Sequence, residues 1–149
     1  MTTTDDQADR TVQSERQLAV PPGRVLQAFA DADQLARWWG PAGFSNTFEE
    51  FHFVPGGAWN FTMHGPDGGD HVNRCTFEET GPERVVIRHS VLPLFRLTVD
   101  LDPRDGGTLL SWSQVFDDPA VVASLGEFLR TANGQVLDRL EALLDGRDP

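Results

Sequence analysis

The chain has 149 residues, of which 39% are hydrophobic, and this is enough to bury an apolar core within one domain. Its 23 acidic residues outnumber its 12 basic ones, which gives a net charge of −11. Because that charge repels phosphate groups and anionic lipid, the composition argues against nucleic acid and membrane surfaces as partners.

Cysteine usage and hydropathy indicate the compartment. Cys75 is the single cysteine and cannot form an internal disulfide, which fits a reducing environment. No apolar run approaches the length of a membrane span, and the acidic N-terminus lacks the basic and apolar regions of a signal peptide. We therefore expect a soluble, cytoplasmic protein.

The ends of the chain are predicted to be tails. Met1–Arg10 is polar, rich in aspartate and without apolar periodicity, so we expect it to be disordered. Residues 11–145 are predicted to form a single domain, because no linker or internal repeat divides them, and residues 146–149 a short tail.

The first elements are a strand and two short helices. Thr11–Val20 loosely alternates apolar and polar residues, which predicts a strand that the following pair of prolines ends. Apolar residues at helical spacing then predict one helix around Val25–Ala30 and a second over Asp33–Trp39, and a Gly-Pro sequence stops the second.

Six further strands are separated by turn sequences rich in glycine and proline. Alternation is clear in one of them, where Trp59, Phe61 and Met63 fall on one face. The predicted strands are Phe44–Val54, Ala58–His64, His71–Glu79, Arg84–Val91, Phe95–Asp102 and Thr108–Phe116.

The longest predicted element is a helix over Pro119–Leu144. Asp118 supplies an N-cap oxygen, and the proline after it suits the first helical position. Ser124 and Glu127 could form a capping box, so the helix could also bend or start again at Ser124. Apolar residues at steps of three and four form one stripe that needs a partner surface. The stripe is Val121, Leu125, Phe128, Leu129, Ala132, Val136, Leu140 and Leu143; Glu127, Arg130, Gln135, Asp138, Arg139 and Glu141 are expected to face water.

This order of elements predicts an α+β fold. Strands joined by short turns pair as antiparallel hairpins, so a curved antiparallel sheet should wrap around the long C-terminal helix. Helix and sheet should meet tightly at one end and splay at the other, which leaves an apolar cavity with a mouth.

Several short motifs, met in order along the chain, resemble one family. They are Pro22–Phe29, Trp38–Phe44 (WWGPAGF), Pro55–Phe61 (PGGAWNF) with Met63, Gly65–Gly68 (GPDG), Gly106–Thr108 and Val136–Leu140. Over roughly Gln13–Leu144 the chain is similar to the activator of heat-shock protein 90 ATPase homologue (AHSA-type) family. In similar proteins a tryptophan often follows the glycine of the last helix, where this chain has Gln135.

The resemblance implies the helix-grip fold of the START-like superfamily, also called SRPBCC or birch-pollen-allergen-like. That superfamily includes lipid carriers, hormone receptors, polyketide cyclases, self-sacrificing resistance proteins against enediyne antibiotics, and chaperone regulators. The fold therefore does not define the function.

We predict that inward-facing residues of the sheet and the last helix line a ligand cavity. Neighbouring side chains on a helix point about 100° apart, so one of Trp38 and Trp39 should face the core and the other the cavity rim or an intermolecular contact. The sequence leaves open which of the two faces the core. The candidate lining residues are Trp38, Trp39, Phe51, Phe53, Trp59, Phe61, Met63, Phe77, Ile87, His89, Phe95, Leu97, Trp112, Gln114, Phe128, Leu129 and Ala132.

The sequence predicts no metal site and no cofactor. No two of the 4 histidines have the spacing of a ligand set, and Cys75 has no cysteine partner. His89 alternates with Ile87 and could point inward to donate to a ligand. Gln114 lies two residues after Trp112 and therefore on the same face of its strand, so its amide is a candidate for a buried polar group that needs a hydrogen-bond partner.

No residue is assigned a catalytic role. No serine lies in a Gly-x-Ser-x-Gly elbow. Glu49 or Glu50 could meet Asp100 or Asp102 as a carboxylate pair across the sheet, but carboxylates of strands usually face solvent.

The predicted function is binding of a small, largely apolar molecule of unknown identity in the cavity. One alternative is a cyclase-like or hydrolytic enzyme in the same cavity, with His89, Gln114 and Glu49 as its candidate groups. The other is a protein-interaction module that regulates a chaperone or pairs with itself as a homodimer; a large exposed apolar patch would favour it.

Overall fold

The alternating segments form one sheet of seven strands in the computed structural model, which describes residues 7–149. All neighbouring strands are antiparallel, in the order β1-β7-β6-β5-β4-β3-β2, so β1 and β2 are the edge strands. The strands are β1 (Thr11–Leu18), β2 (Ser45–Phe51), β3 (Ala58–His64), β4 (Asp70–Thr80), β5 (Arg84–His89), β6 (Phe95–Arg104) and β7 (Gly107–Phe116).

Within residues 11–149, three helices accompany the sheet: α1 (Pro22–Ala30), α2 (Ala32–Trp38) and α3 (Pro119–Leu144). The Asp31 carboxylate caps α2 by accepting from the backbone N–H groups of Asp33 and Gln34 at 2.9 and 3.2 Å. Asp118 caps α3 in the same way through the N–H of Ala120 at 2.9 Å. No helix within residues 7–149 has both the length and the apolar character to cross a membrane.

The predicted bounds of α3 are confirmed, and the helix continues through Ser124 without a restart. The predicted strand Phe44–Val54 ends at Phe51 instead, because the chain already turns there. In that turn the N–H of Val54 donates to the carbonyl of His52 at 2.9 Å.

The predicted tail Met1–Arg10 lies partly outside the described residues, which begin at residue 7. Residues 7–10 form a turn in which the backbone N–H of Arg10 donates to the carbonyl of Gln7 at 3.0 Å. The guanidinium of Arg10 also donates to the carbonyl of Phe116 at 3.2 Å, so this segment is bonded to the end of β7.

The core lies between the concave face of the sheet and the second half of α3. Register shifts at Phe48/Glu50 in β2 and Phe77/Glu79 in β4 mark bulges, which bend strands. Along β7 every second residue is buried, which places one complete face of the strand against the core. The helix-grip architecture expected for the chain is confirmed.

The apolar stripe of α3 is buried unevenly along its length. Val136, Leu140 and Leu143 are buried, whereas Leu125 and Phe128 near the start of the helix are 47% and 67% exposed. Helix and sheet therefore pack closely along the second half of α3, and the first half extends over the open end.

Four of the residues expected to face water on α3 are bonded to other elements. Glu141 and Asp138 each pair with Arg16 on β1 at 2.8 Å, and Gln135 and Arg139 bond the loop after α2. The expectation holds for the exposed Asp138 and is wrong for the other three, which are partly buried at the borders of the stripe, where side chains reach β1 and α2.

Candidate ligand cavity

A cavity of about 250 Å³ lies between the sheet and the first half of α3. The sheet contributes inward-facing residues of five strands, β3 to β7, and the other walls come from α3 and from loops. The lining residues from the strands are Phe61, Met63, Asn73, Cys75, Ile87, His89, Phe95, Leu97, Trp112 and Gln114; those from α3 are Phe128, Leu129, Ala132, Asn133 and Val136; and those from loops are Trp39, Gly40, Pro41 and Pro93.

Most of the residues predicted for the cavity come together here. Those from the strands lie on inward faces, as alternation indicates, those from α3 lie on its apolar stripe, and Trp39 lies in the loop after α2. They are Trp39, Phe61, Met63, Ile87, His89, Phe95, Leu97, Trp112, Gln114, Phe128, Leu129 and Ala132.

The other five predicted residues, Trp38, Phe51, Phe53, Trp59 and Phe77, lie away from the cavity, in a packed aromatic cluster of the core. Trp59 and Phe77 stack with ring centroids 5.5 Å apart, and Phe51 and Phe53 pack edge-on against Phe77 at 5.7 and 4.9 Å. These side chains point into the same layer between sheet and helices as the lining residues do, but they pack against one another and leave no cavity between them.

The tryptophan pair divides between core and cavity. Trp38 is fully buried, its indole N–H donates to the carbonyl of Ala28 at 3.0 Å, and its ring meets Phe29 edge-on at 5.0 Å. Trp39 lines the cavity, with its ring 4.9 Å from Trp59 and 5.7 Å from Trp112. The core residue is thus Trp38 and the cavity residue is Trp39.

Arg139 holds the loop that carries Trp39. One of its terminal nitrogens donates to the carbonyls of Trp39, Gly40 and Pro41 at 3.2, 2.8 and 3.1 Å, and the other to that of Arg37 at 2.8 Å. These carbonyls lie in the last turn of α2 and directly after it, where helix carbonyls lack intrahelical partners and a cation is favoured. Burial lowers the pKa of Arg139, but a guanidinium stays charged at neutral pH.

Two further features fix the same loop against its neighbours. The side-chain oxygen of Gln135 accepts from the backbone N–H of Ala42 at 3.1 Å. Gly40 has a φ of +96°, and a Cβ at this position would lie 2.8 Å from the methyl group of Met63. Only glycine combines that backbone angle with such a close approach to the cavity wall.

Two amide side chains form the polar part of the wall. Gln114 on β7 and Asn133 on α3 are 8% and 7% exposed, and Asn133 Nδ2 donates to Gln114 Oε1 at 3.0 Å. The indole N–H of Trp112 next to them is buried and has no acceptor among residues 7–149. The predicted buried amide thus has a protein partner, and that partner lies on α3.

His89 points inward, but its ring nitrogens are engaged by the protein. Nδ1 lies 2.8 Å from the carbonyl oxygen of Pro93, Nε2 lies 2.7 Å from the side-chain amide of Asn73, and the ring stacks on Phe95 at 4.4 Å. Burial lowers the pKa of His89, and the nearby Arg88 lowers it further, while the bond to Pro93 opposes both. The predicted free donor to a ligand is therefore not available on this ring.

Cys75 and His89 are opposite each other in the register of β4 and β5, an arrangement that resembles a nucleophile and its base. Burial raises the pKa of the Cys75 thiol to about 12, so the thiol is protonated at neutral pH. Because the ring nitrogens of His89 bond Pro93 and Asn73 instead, the pair lacks the hydrogen bond that activates a nucleophile.

The possible carboxylate pair does not form. Glu49 and Glu50 are exposed on β2, where Asn60 donates to Glu50 at 3.0 Å. Three strands lie between β2 and β6, which carries Asp100 and Asp102. Within the described part of the chain, no three His, Cys, Asp or Glu side chains are grouped as metal ligands would be.

Sequence reasoning missed several lining residues, and some of them carried a signal. Asn73 shares the inward face of β4 with Cys75, and Asn133 lies four residues after Leu129, on the stripe of α3. Pro93 gave no signal, because it belongs to a turn whose position depends on the complete sheet. The missed residues are Gly40, Pro41, Asn73, Cys75, Pro93, Asn133 and Val136.

Solved structures from several bacteria share this fold. A Nitrosomonas europaea protein is 23% identical with a TM-score of 0.84, and the match covers 93% of this chain and 96% of that one. A Chromobacterium violaceum protein is 29% identical with a TM-score of 0.81, covering 93% and 98%. An Arthrobacter aurescens protein is 22% identical with a TM-score of 0.84, covering 95% and 89%.

No curated protein matches the chain. The family model described as "Activator of Hsp90 ATPase homolog 1-like protein" matches residues 19–145, which is most of the sequence. That match, together with the shared fold, shows that the chain belongs to the family of Activator of Hsp90 ATPase homolog 1-like proteins.

Proposed function

We propose that the protein binds a small, largely apolar molecule in the cavity between the sheet and α3. The observation that carries the proposal is the cavity itself, about 250 Å³ lined mainly by aromatic and aliphatic side chains. Protein interiors are otherwise close-packed. An open space lined by apolar groups is therefore a feature that a bound apolar molecule would fill.

The size of the cavity limits the ligand. A cavity of roughly 150 Å³ accommodates benzene, and drug-sized ligands occupy about 300–1,000 Å³. A volume of about 250 Å³ therefore suits a molecule of about two rings and is too small for a whole lipid. Among the lining residues, Phe128 and Pro93 are exposed and Trp39 and Met63 are half-buried, so the cavity reaches the surface and a ligand would enter beside Phe128.

An enzymatic role in the same cavity has less support. Its candidate groups were His89, Gln114 and Glu49. Both ring nitrogens of His89 are within hydrogen-bond distance of Pro93 or Asn73, and Gln114 is a neutral amide. The carboxylate of Glu49 lies outside the cavity on an exposed edge strand.

A protein-interaction module is the second candidate function, and one observation favours it. Leu92, Leu125 and Phe128 are 86%, 47% and 67% exposed. Phe128 lines the cavity, and Leu92 directly precedes the lining residue Pro93. Exposed apolar side chains near one another can bind a partner protein or a second copy. A cytoplasmic location remains part of either proposal, because an unpaired, buried Cys75 suits a reducing compartment.

The experiment is a fluorescence titration with 1-aminonaphthalene, a neutral two-ring dye whose emission shifts in apolar surroundings. The native protein should bind it saturably at one site. Ala132→Leu, which adds three carbons to the cavity wall, should weaken binding at least tenfold while the protein stays folded. The matched control is Ala123→Leu, at an exposed position of the same helix, and should bind the dye like the native protein.

Two outcomes would contradict the proposal. If Ala132→Leu binds the dye as well as the native protein does, the dye occupies another site. If the native protein shows no saturable binding and only partly unfolded protein does, the interaction module becomes the better candidate.

A further inference from the structure

The buried amide pair in the cavity wall leaves part of its hydrogen-bonding capacity unused. Asn133 Nδ2 donates to Gln114 Oε1 at 3.0 Å, and both residues line the cavity. Among residues 7–149, no bond partner is found for Gln114 Nε2 or Asn133 Oδ1. Both side chains are more than nine-tenths buried, but neither atom is itself sealed from solvent, so a molecule in the cavity can reach both.

This result does not depend on how the two amides are oriented. If both are rotated by 180°, Gln114 donates to Asn133, and a C=O on Gln114 and an NH₂ on Asn133 are then left over. In either orientation one donor group and one acceptor group stand on adjacent side chains. The pair thus presents a donor–acceptor edge to the cavity.

The charge of the lining limits what this edge can bind. No Arg, Lys, Asp or Glu is among the lining residues, and burial keeps Cys75 protonated and disfavours a charged His89. An ionic ligand would be desolvated in the cavity without a counter-charge, at a high cost. A ligand that fits must therefore be neutral.

We infer that the cavity takes a neutral molecule of about two rings that ends in a carboxamide or lactam, and that Gln114 and Asn133 bind this end. An amide carries an N–H donor and a C=O acceptor side by side, which complements the free acceptor and donor of the pair. The apolar body of the ligand then packs against Phe61, Met63 and Leu97. This inference rests on the proposed function and specifies the chemical class of the ligand.

Four probes that share a naphthalene body test the inference by isothermal titration calorimetry. 2-Naphthamide offers a donor and an acceptor, methyl 2-naphthoate only acceptors, 2-ethylnaphthalene neither, and 2-naphthoate a negative charge. We expect 2-naphthamide to bind at least tenfold more tightly than the ester and the anion not to bind measurably.

The double variant Gln114→Leu/Asn133→Leu removes both amides. Because replacing both partners of a buried hydrogen bond by apolar groups of similar shape is nearly neutral, this variant should fold. Its preference for the amide over the ester should fall at least tenfold, while its affinity for 2-ethylnaphthalene is kept or rises. The control is Ser113→Ala, on β7 between Trp112 and Gln114 and outside the cavity lining, and it should keep the native preference.

The outcomes separate the inference from the proposed function. If none of the four probes binds the native protein, the cavity is not a ligand site and both fail. If the native protein binds the ester as tightly as the amide, or the double variant keeps the preference, the role of the amide pair is refuted while the cavity remains a binding site. Tightest binding of 2-naphthoate would refute the requirement for a neutral ligand.

Discussion

Among single residues, His89 is the titratable side chain whose charge bears most on the cavity. Its Nδ1 must carry a proton, because the carbonyl of Pro93 can only accept. The amide oxygen of Asn73 lies nearest to Nε2, which would favour a charged ring, whereas burial and Arg88 favour a neutral one. Rotating the Asn73 amide would give Nε2 a donor only at the loss of the 3.0 Å bond from Asn73 Nδ2 to the carbonyl of His71. We favour the neutral ring because burial is the largest influence on the pKa of His89 and lowers it.

This assignment predicts how stability depends on pH. Burial places the pKa of His89 in the folded protein below its value of about 6.5 in the unfolded chain. The unfolded chain therefore binds the proton more readily, and the free energy of unfolding should fall as the pH drops below about 6.5. Above that pH, His89 should add no pH dependence.

The measurement is urea denaturation at pH 7.5 and pH 5.5. The loss of stability between the two should be smaller in His89→Gln than in the native protein, and the exposed His71→Gln should keep the native loss. An equal loss in His89→Gln and the native protein, or greater native stability at the lower pH, would mean that the ring is charged in the folded protein.

Among the elements, α3 positions the loop Trp39–Ala42 through Arg139. We expect Arg139→Met to lower the free energy of unfolding by about 2–3 kcal/mol, because hydrogen bonds to a charged group contribute roughly 1.5–3 kcal/mol. The same change should weaken binding of 1-aminonaphthalene, since this loop forms one wall of the cavity. Urea denaturation and the dye titration measure the two effects.

The control for this prediction is Arg130→Met, which removes an exposed guanidinium from the same helix. It should change stability by less than about 0.5 kcal/mol, as is usual for surface substitutions. Equal effects of the two substitutions would show that the bonds of Arg139 to the loop contribute nothing specific.

The two halves of α3 should respond differently to truncation. Leu140 is fully buried against the sheet, so Leu140→Ala should cost about 2–5 kcal/mol of unfolding free energy. Leu129 is only partly buried and borders a space that already exists, so Leu129→Ala should cost clearly less and should enlarge the cavity. Chemical denaturation measures the free energy of unfolding of both variants. A larger loss of this free energy in Leu129→Ala than in Leu140→Ala would contradict the described packing.

The sequence predicts α3 well because its signals are local. The cap at Asp118 and the spacing of the apolar residues depend only on nearby positions. Which half of the stripe is buried depends on where the sheet splays, and that is set by strands far away in the chain. The contacts of Arg139 could not be predicted either, because the carbonyl groups that it bonds, between Arg37 and Pro41, lie about a hundred residues earlier in the chain.

At the scale of the whole molecule, alternation predicts which side chains point inward but not how the interior is divided. Gln114 and Ile87 line the cavity, while Phe77, equally inward-facing, belongs to the packed aromatic cluster. The boundary between cavity and cluster depends on how the strands and helices of residues 11–149 fit together. The inward residues of the site could therefore be predicted, but the pairing of Asn133 with Gln114 across the cavity wall could not.

The central claim, that the cavity is a ligand site, is tested most directly by NMR of a sample labelled with ¹³C in the methionine methyl groups. The chain has 2 methionines, and Met63→Leu assigns the signal of the one in the cavity wall. Addition of 2-naphthamide should shift the Met63 signal with saturation and give nuclear Overhauser effects between this methyl group and the naphthalene protons. Saturable binding without either change at Met63 would place the ligand elsewhere and contradict the account.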